Sequence, residues 1–378
     1  MSARPLSLIL PLLALPALIG CGSENSAAPP PPPLGEAALK AVIDKPGANR
    51  EGLARAVDTL FTSADMGETR AVLVLRNGKL VAERYGPGYH ENTRFVSWSM
   101  AKTVTAVMIG MLVADGRLSL DGSVPIPAWQ RSGDPRGEIT LRQLLQMRSG
   151  VKHVETSDPP YEADTVRMLF LDGRDNMAAY AEAQPLEAEP GTTWEYNSAT
   201  TVILADLAAR VLTTSQDPAE RARVVSDYLK TRLFEPLGMK SMVPEFDAAG
   251  TLIGGSLIHG TLRDWGKFGE FLRERGAVRG AQLVPSAWID LMTEPSPTNK
   301  AYGFHTWLNW PQGGAPRMWE GLPAAAFSMN GHLGQFVVVD RSRAVTVVRL
   351  GKTDDDKHGP LRAGIVKIVQ QYSKEGAK

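Results

Sequence analysis

The sequence holds a single cysteine, Cys21, among 378 residues. One thiol near the N-terminus leaves none for an intrachain disulfide, a zinc cluster or a cysteine nucleophile. No Gly-x-Ser-x-Gly segment occurs, which sets aside the nucleophile elbow of an ordinary α/β-hydrolase. No His-Glu-x-x-His segment occurs either, and the six histidines, His90, His153, His259, His305, His332 and His358, are scattered. No metal site is therefore expected. No phosphate-binding glycine loop is present, and no cofactor is expected. Charge of one sign is also lacking, because Lys plus Arg and Asp plus Glu number 41 each. Without a basic excess or cluster, nucleic acid is not an expected partner.

Long apolar runs are scarce too. The N-terminal one, Leu6 to Ile19, follows Arg4 and is shorter than the roughly 20 residues that span a bilayer. Residues 1–20 therefore read as a signal peptide. The run ends in Leu18-Ile19-Gly20-Cys21, which resembles the lipobox of bacterial lipoproteins. A stray cysteine after an ordinary signal peptide is the alternative. The resemblance implies lipid on Cys21, each buried methylene contributing about 0.8 kcal/mol to membrane attachment. It also implies an exported, membrane-anchored protein facing the periplasm; Gly22 in place of Asp favours the outer membrane where the cell has one. Residues 21–34 contain five successive prolines, Pro29 to Pro33, a stiff extended tether that packs no core.

The remaining 344 residues, 35–378, are enough for one large or two intimate domains. The pattern predicts a helix over Ala37–Ala64, broken near Pro46. A hairpin follows: strand Ala71–Leu75, turn Asn77-Gly78, and return strand Lys79–Tyr85. Residues 99–115 are apolar almost all round, as in a buried helix, and Gly116 stops them. Helical patterns recur at Leu141–Met147, Met177–Ala183, Thr200–Leu212 and Ala222–Leu233. Strands return at Ala325–Asn330, Gln335–Asp340 and Ala344–Leu350, the last two joined at Arg341–Arg343, and Leu361–Tyr372 closes as a helix. Strands, helices, strands and helix in that order predict an α/β (α+β) fold. Its antiparallel sheet, residues 35–116 with 251–378, is flanked by N- and C-terminal helices. An inserted, mostly helical domain spans residues 117–250.

Three segments carry candidate chemistry. In Ser99-Met100-Ala101-Lys102 the serine and lysine stand three apart and share a helix face. A serine hydroxyl needs a base to become a nucleophile, and a buried lysine serves once burial lowers its pKa. The bland alternative is a helix-capping serine with a snorkelling lysine. A second copy, Ser149-Gly150-Val151-Lys152, runs into a loop and opens no buried helix. The second segment is Pro190–Ser198, where Tyr196 is a candidate proton carrier if Lys102 favours its phenolate, with Asn197 or Ser198 orienting substrate or bonding Lys102. A loop tyrosine packed in the core is the alternative. The third is Asn330-Gly331-His332-Leu333-Gly334-Gln335, before a strand. Its glycines permit close backbone approach, and a strand N–H there with that of Ser99 could form an oxyanion hole. His332 alone would be an ordinary structural histidine. Trp98, Trp194 and Trp307 lie near these segments and either line an apolar cleft or pack the core.

Serine–lysine, then Tyr-Asn-Ser, then His-x-Gly, in that order, resembles the class C β-lactamase superfamily, which includes DD-peptidases, esterases and 6-aminohexanoate-dimer hydrolases. Ile139–Leu145 with Ser149-Gly150, Pro236–Met239 and Thr261–Asp264 resemble further family segments, so the likeness covers about residues 50–375. It implies a β-lactamase/transpeptidase-like fold and an acyl-serine hydrolase acting on a small amide or ester. It implies Ser99 as nucleophile, Lys102 as its base and Tyr196 as relay to the leaving group and then to water. Ser198, His332 and Gly334 take the substrate-binding places, and the N–H groups of Ser99 and Gln335 the oxyanion hole. Ser198 stands where class C β-lactamases have asparagine and His332 where they have lysine, so the 6-aminohexanoate-dimer hydrolase and carboxylesterase branch is the nearer likeness. Lys352-Thr353 is followed by Asp354 rather than glycine and is a decoy. A DD-peptidase and a non-catalytic binding lipoprotein on the same fold remain as alternatives.

Overall fold

The computed structural model describes residues 32–374. The expectations for the signal peptide, Cys21 and most of the proline tether fall on residues 1–31 and lie outside the described residues.

Six antiparallel strands make the main sheet: β1 (Glu68–Arg76), β2 (Lys79–Tyr85), β3 (Trp307–Leu308), β4 (Phe327–Gly331), β5 (Gln335–Asp340) and β6 (Val345–Lys352). Their spatial order is β2-β1-β6-β5-β4-β3, so β1 from the start of the chain pairs with β6 from its end. The expected hairpin is present, with Asn77 and Gly78 both at positive φ in the turn. The expected terminal strands are present as β4, β5 and β6, within two residues of their expected ends.

Both sheet faces are buried, so the central strands are mostly apolar on both sides instead of strictly alternating with polar residues, Thr346 and Arg349 being buried exceptions. Val72 and Val74 face a layer built by Leu53, Val57 and Leu60 of helix Arg50–Thr62 and by Leu361, Ile365 and Ile368 of helix His358–Val369. Ala71, Leu73 and Leu75 face the other way, into the larger core shared with the helical region. The N-terminal helical pattern breaks as expected, into Glu36–Lys40 and Arg50–Thr62.

Helix Leu262–Arg273 was not foreseen, because Gly266 and Gly269 interrupt its pattern. Those glycines are what let it lie on the sheet. A Cβ on Gly266 would overlap the end of Leu73, and one on Gly269 would come within 2.7 Å of Thr346 and 2.8 Å of Val337. Close packing was selected over helix propensity, which disfavours glycine by about 1 kcal/mol.

Helix Ala101–Ala114 runs through the larger core, every residue from Ala101 to Leu112 buried, and ends at Gly116 with φ +71°. At its centre Gly110 sits under the Trp288 indole, whose Nε1 donates to the Ala106 carbonyl at 3.1 Å. A Cβ at 110 would fall within the ring. The Gly110→Ala substitution is therefore expected to destabilise the protein by about 1–3 kcal/mol despite alanine's better propensity. A urea midpoint equal to or above wild type would contradict this packing.

Candidate active site

Ser99 stands in the turn Trp98–Met100 that leads into helix Ala101–Ala114, and Lys102 lies on the first turn of that helix. Trp98 takes a positive φ of 45°, an unusual backbone state for a tryptophan immediately before the serine. Ser97 braces this turn: its hydroxyl donates to the Ser256 carbonyl at 3.2 Å and accepts from the Ile258 N–H at 3.2 Å. Ser99 is partly exposed, whereas Lys102 is 1% exposed.

Lys102 Nζ has three near partners, Ser198 Oγ at 2.7 Å, the Gly255 carbonyl at 2.9 Å and Ser99 Oγ at 3.1 Å. It also lies 4.9 Å from the centre of the Tyr196 ring. This excludes the snorkelling lysine, whose ammonium would reach water. Burial pushes the Lys102 pKa down to about 8, against the opposing pull of the Glu155 carboxylate. A lysine held there is partly neutral near physiological pH and able to take a proton.

The Tyr196 ring lies 4.9 Å from Lys102 Nζ, which itself contacts Ser99 Oγ, so serine, lysine and tyrosine meet. The condition attached to Tyr196, that Lys102 favour its phenolate, is opposed by its surroundings. Burial raises the Tyr196 pKa, and the Glu155 anion raises it further, outweighing the lowering influence of the Ser99 hydroxyl. The phenol is neutral at rest and is a proton donor first. Its ring stacks on Trp307 at 5.3 Å, within a group completed by Tyr302 and Trp194. Trp194 and Trp307 thus flank the site through Tyr196, while Trp98 meets the His332 ring edge-on at 5.4 Å.

Asn197 and Ser198 divide their duties. Asn197 caps helix Ser198–Leu212, its Oδ1 accepting from the Thr200 N–H at 2.9 Å while Nδ2 donates to the Val151 carbonyl at 3.1 Å. It is structural. Ser198 faces Lys102.

The third segment reaches the site through β4. Gly331 closes on the Ser97 carbonyl so tightly that no Cβ would fit, which brings the strand against the serine turn. His332 is exposed beside Trp98. Gly334 faces inward: a Cβ there would meet Leu361, Arg349 and Thr353. No side chain would fit there, so only the Gly334 main chain could serve the substrate-binding place expected of it. Gln335 turns its side chain inward as well, accepting from the Gly351 N–H at 2.9 Å and donating to the His332 carbonyl at 3.1 Å. Only its main chain is left for a ligand.

The other serine–lysine pair is no site. Ser149 is buried and accepts from the Val151 N–H at 3.2 Å, while Lys152 is exposed. Thr353 is likewise structural, donating to the Met66 carbonyl at 2.7 Å. His305 is a satisfied core histidine, bonded to Thr201 and the Leu145 carbonyl, with burial pushing its pKa down to about 3.

Three residues were missed. Gly255 supplies a carbonyl to Lys102 from 153 residues away, and no local signal marks it. Buried Arg349 ties the turn 332–334 to the start of β1, donating to Gly334 O at 2.9 Å and Glu68 O at 3.0 Å. Glu155 brings a carboxylate against Ser198, from a loop without readable periodicity. A cavity of about 690 Å³ lined by Leu73, Leu80, Phe271 and Arg279 contains none of these groups.

Against known proteins, the model of the beta-lactamase family matches residues 61–370. The 6-aminohexanoate-dimer hydrolase of Paenarthrobacter ureafaciens is 24% identical over 317 residues, 80% of this chain and 78% of that protein. Esterase EstB of Burkholderia gladioli is 29% identical over 175 residues, 40% of this chain and 44% of that one. Among solved structures, a family VIII carboxylesterase superposes with a TM-score of 0.63 at 17% identity, covering 85% of this chain and 96% of that chain. The fold is thus the β-lactamase/transpeptidase-like one expected.

The lowered pKa of Lys102 has a sign that stability can read. The folded chain loses this proton near pH 8 and the unfolded chain near 10.5, so between them the unfolded state binds more protons. Stability contributed by this group should rise across that window, by an amount of order 3 kcal/mol, and be absent from a Lys102→Met variant. Parallel stability–pH curves for the two proteins from pH 8 to 10.5 would contradict it.

Proposed function

The chain belongs to the beta-lactamase family and is a serine hydrolase, and on that premise we propose that it cleaves a small amide or ester through an acyl-Ser99 intermediate. The observation that carries the proposal is the contact of a buried lysine, held at a pKa of about 8, with the oxygen of a partly exposed serine. A binding protein needs no such pair.

The chemistry follows from the atoms. Neutral Lys102 takes the Ser99 proton as Oγ attacks the substrate carbonyl. The oxygen that becomes negative is received by the Ser99 and Gln335 N–H groups. Such donors commonly contribute about 3 kcal/mol each to the transition state. Tyr196, a neutral phenol against Ser99, hands its proton to the departing amine or alcohol and recovers one from Lys102. Water then attacks the acyl-enzyme while Lys102, neutral again, takes its proton, and that proton returns to Ser99 Oγ as Ser99 leaves. Exposed His332 beside Trp98 stands where class C β-lactamases have a lysine that helps bind a carboxylate. This favours esters or linear amides over β-lactams, as do the activities in the names of the relatives.

For the N-terminus, we propose export and lipid attachment at Cys21, supported by the apolar run Leu6–Ile19 and the segment Leu18–Cys21. No helix among the described residues is long and apolar enough to cross a membrane.

Four outcomes are expected. A fluorophosphonate should label Ser99 alone, and Ser99→Ala should lose at least about 1,000-fold in p-nitrophenyl ester hydrolysis. Wild-type activity should rise with pH through about 8 as Lys102 becomes neutral. Undiminished turnover by Ser99→Ala would refute the reading. A stable penicilloyl adduct together with cleavage of a D-Ala-D-Ala peptide would move the chain to the DD-peptidases. Cys21→Ser should shift the protein from the membrane fraction to the soluble one; retention on the membrane would remove the lipid proposal.

A further inference from the structure

The loop that follows Val151 carries a carboxylate to the edge of the active site. Glu155 Oε1 accepts from the Ser198 hydroxyl at 2.6 Å and Oε2 from the Ser198 N–H at 2.8 Å. Thr165 Oγ1 donates to Oε2 at 3.0 Å, and His153 Nε2 lies 3.1 Å from it. Both oxygens thus grip one residue, and two side chains hold the grip.

This dictates the direction of every hydrogen bond at Lys102. A hydroxyl has one proton to give, and Ser198 gives it to Glu155. Ser198 therefore offers Lys102 only a lone pair. The Gly255 carbonyl offers only lone pairs as well. A neutral amine has two N–H bonds and one lone pair. Its two N–H bonds are claimed by Ser198 and Gly255, so the lone pair is left facing Ser99, 3.1 Å away. Were Ser198 free to turn its proton toward Lys102, that lone pair would be spent on it.

Resting on the acyl-serine reading, we propose that Glu155 is a positioning residue of the reaction. It polarises Ser198 so that the base lone pair of Lys102 is aimed at the nucleophile, and its negative charge faces the Lys102 ammonium across Ser198. Glu155 is not itself the proton's destination. Burial works to raise its pKa, but the Lys102 cation and the donors from His153 and Ser198 prevail and hold it at about 2, far below the value of about 8 for Lys102. The groups facing Lys102 are Ser99, Ser198, Gly255, the Tyr196 ring and, further off, Glu155 and His305. Those facing Glu155 are Lys102, His153, Thr165 and Ser198, with Tyr196, Tyr302 and Glu195 also within its field. Lys102 is the one cation among them whose proton the reaction uses.

Two variants test the charge and the grip. Glu155→Gln removes the charge and replaces one of the two accepting oxygens by an NH2, so it is read by the pH limb. The acid limb of kcat/KM, and of fluorophosphonate labelling rate, should move down by about 1 pH unit. Glu155→Asp keeps the charge and withdraws the grip on Ser198. Its limb should stay in place while kcat falls about 10-fold or more with KM little changed. A limb unmoved by Glu155→Gln overturns the proposal, and so does wild-type kcat in Glu155→Asp. If Glu155→Gln does not fold, the aspartate variant decides alone. Absence of Ser99 labelling in the unsubstituted protein would sink the acyl-serine reading itself, a failure recognised without any variant.

Discussion

One ammonium taken out of water governs this protein. Lys102 could be left exposed at little cost; inside the core it is held by two oxygens that accept and one that must give up a proton. Desolvation strips its preference for the charged form, and the Glu155 carboxylate returns part of it. The balance leaves a base poised near neutrality, which neither burial alone nor ion pairing alone would do. The expense is carried by packing, since the helix bearing Lys102 is surrounded by apolar side chains for three turns.

The scaffold makes that burial possible by close approach. Gly110 admits the Trp288 indole onto the helix, Gly331 admits β4 onto the Ser97 carbonyl, and Gly266 and Gly269 admit a helix onto the sheet. Each removes a side chain where two elements must touch. The antiparallel sheet joins the chain's start to its end through β1 and β6. Arg349, inside that junction, pins the turn after β4 to the start of β1. The serine turn thus meets a strand from far along the chain in a fixed position.

Local signals were readable wherever the deciding contacts are local. Asn77-Gly78 marked its hairpin because the two-residue turn needs positive φ. The buried helix announced itself by being apolar on every side. Ser99 and Lys102 were found because a helix puts residues three apart on one face. Helix Leu262–Arg273 escaped because its glycines serve the sheet and not the helix. Ser149-Gly150-Val151-Lys152 looked alike in letters and differs in burial, its lysine exposed and its serine turned to the backbone. Whether Lys102 would favour a Tyr196 phenolate stayed open in the sequence because the burial of the ring and the Glu155 carboxylate, which oppose it, arise only in the fold.

The amino-acid order by itself determined the secondary structure of the sheet, the position of the serine–lysine pair and the family pattern, because these rest on spacings of a few residues. Tertiary structure alone decided that Gly331 closes on the Ser97 carbonyl beside the nucleophile turn, and that Gly255 and Glu155 converge on Lys102 and Ser198. Those contacts span 153 and 43 residues. No short-range propensity encodes such a meeting; it exists only once the whole core has excluded water from between the groups.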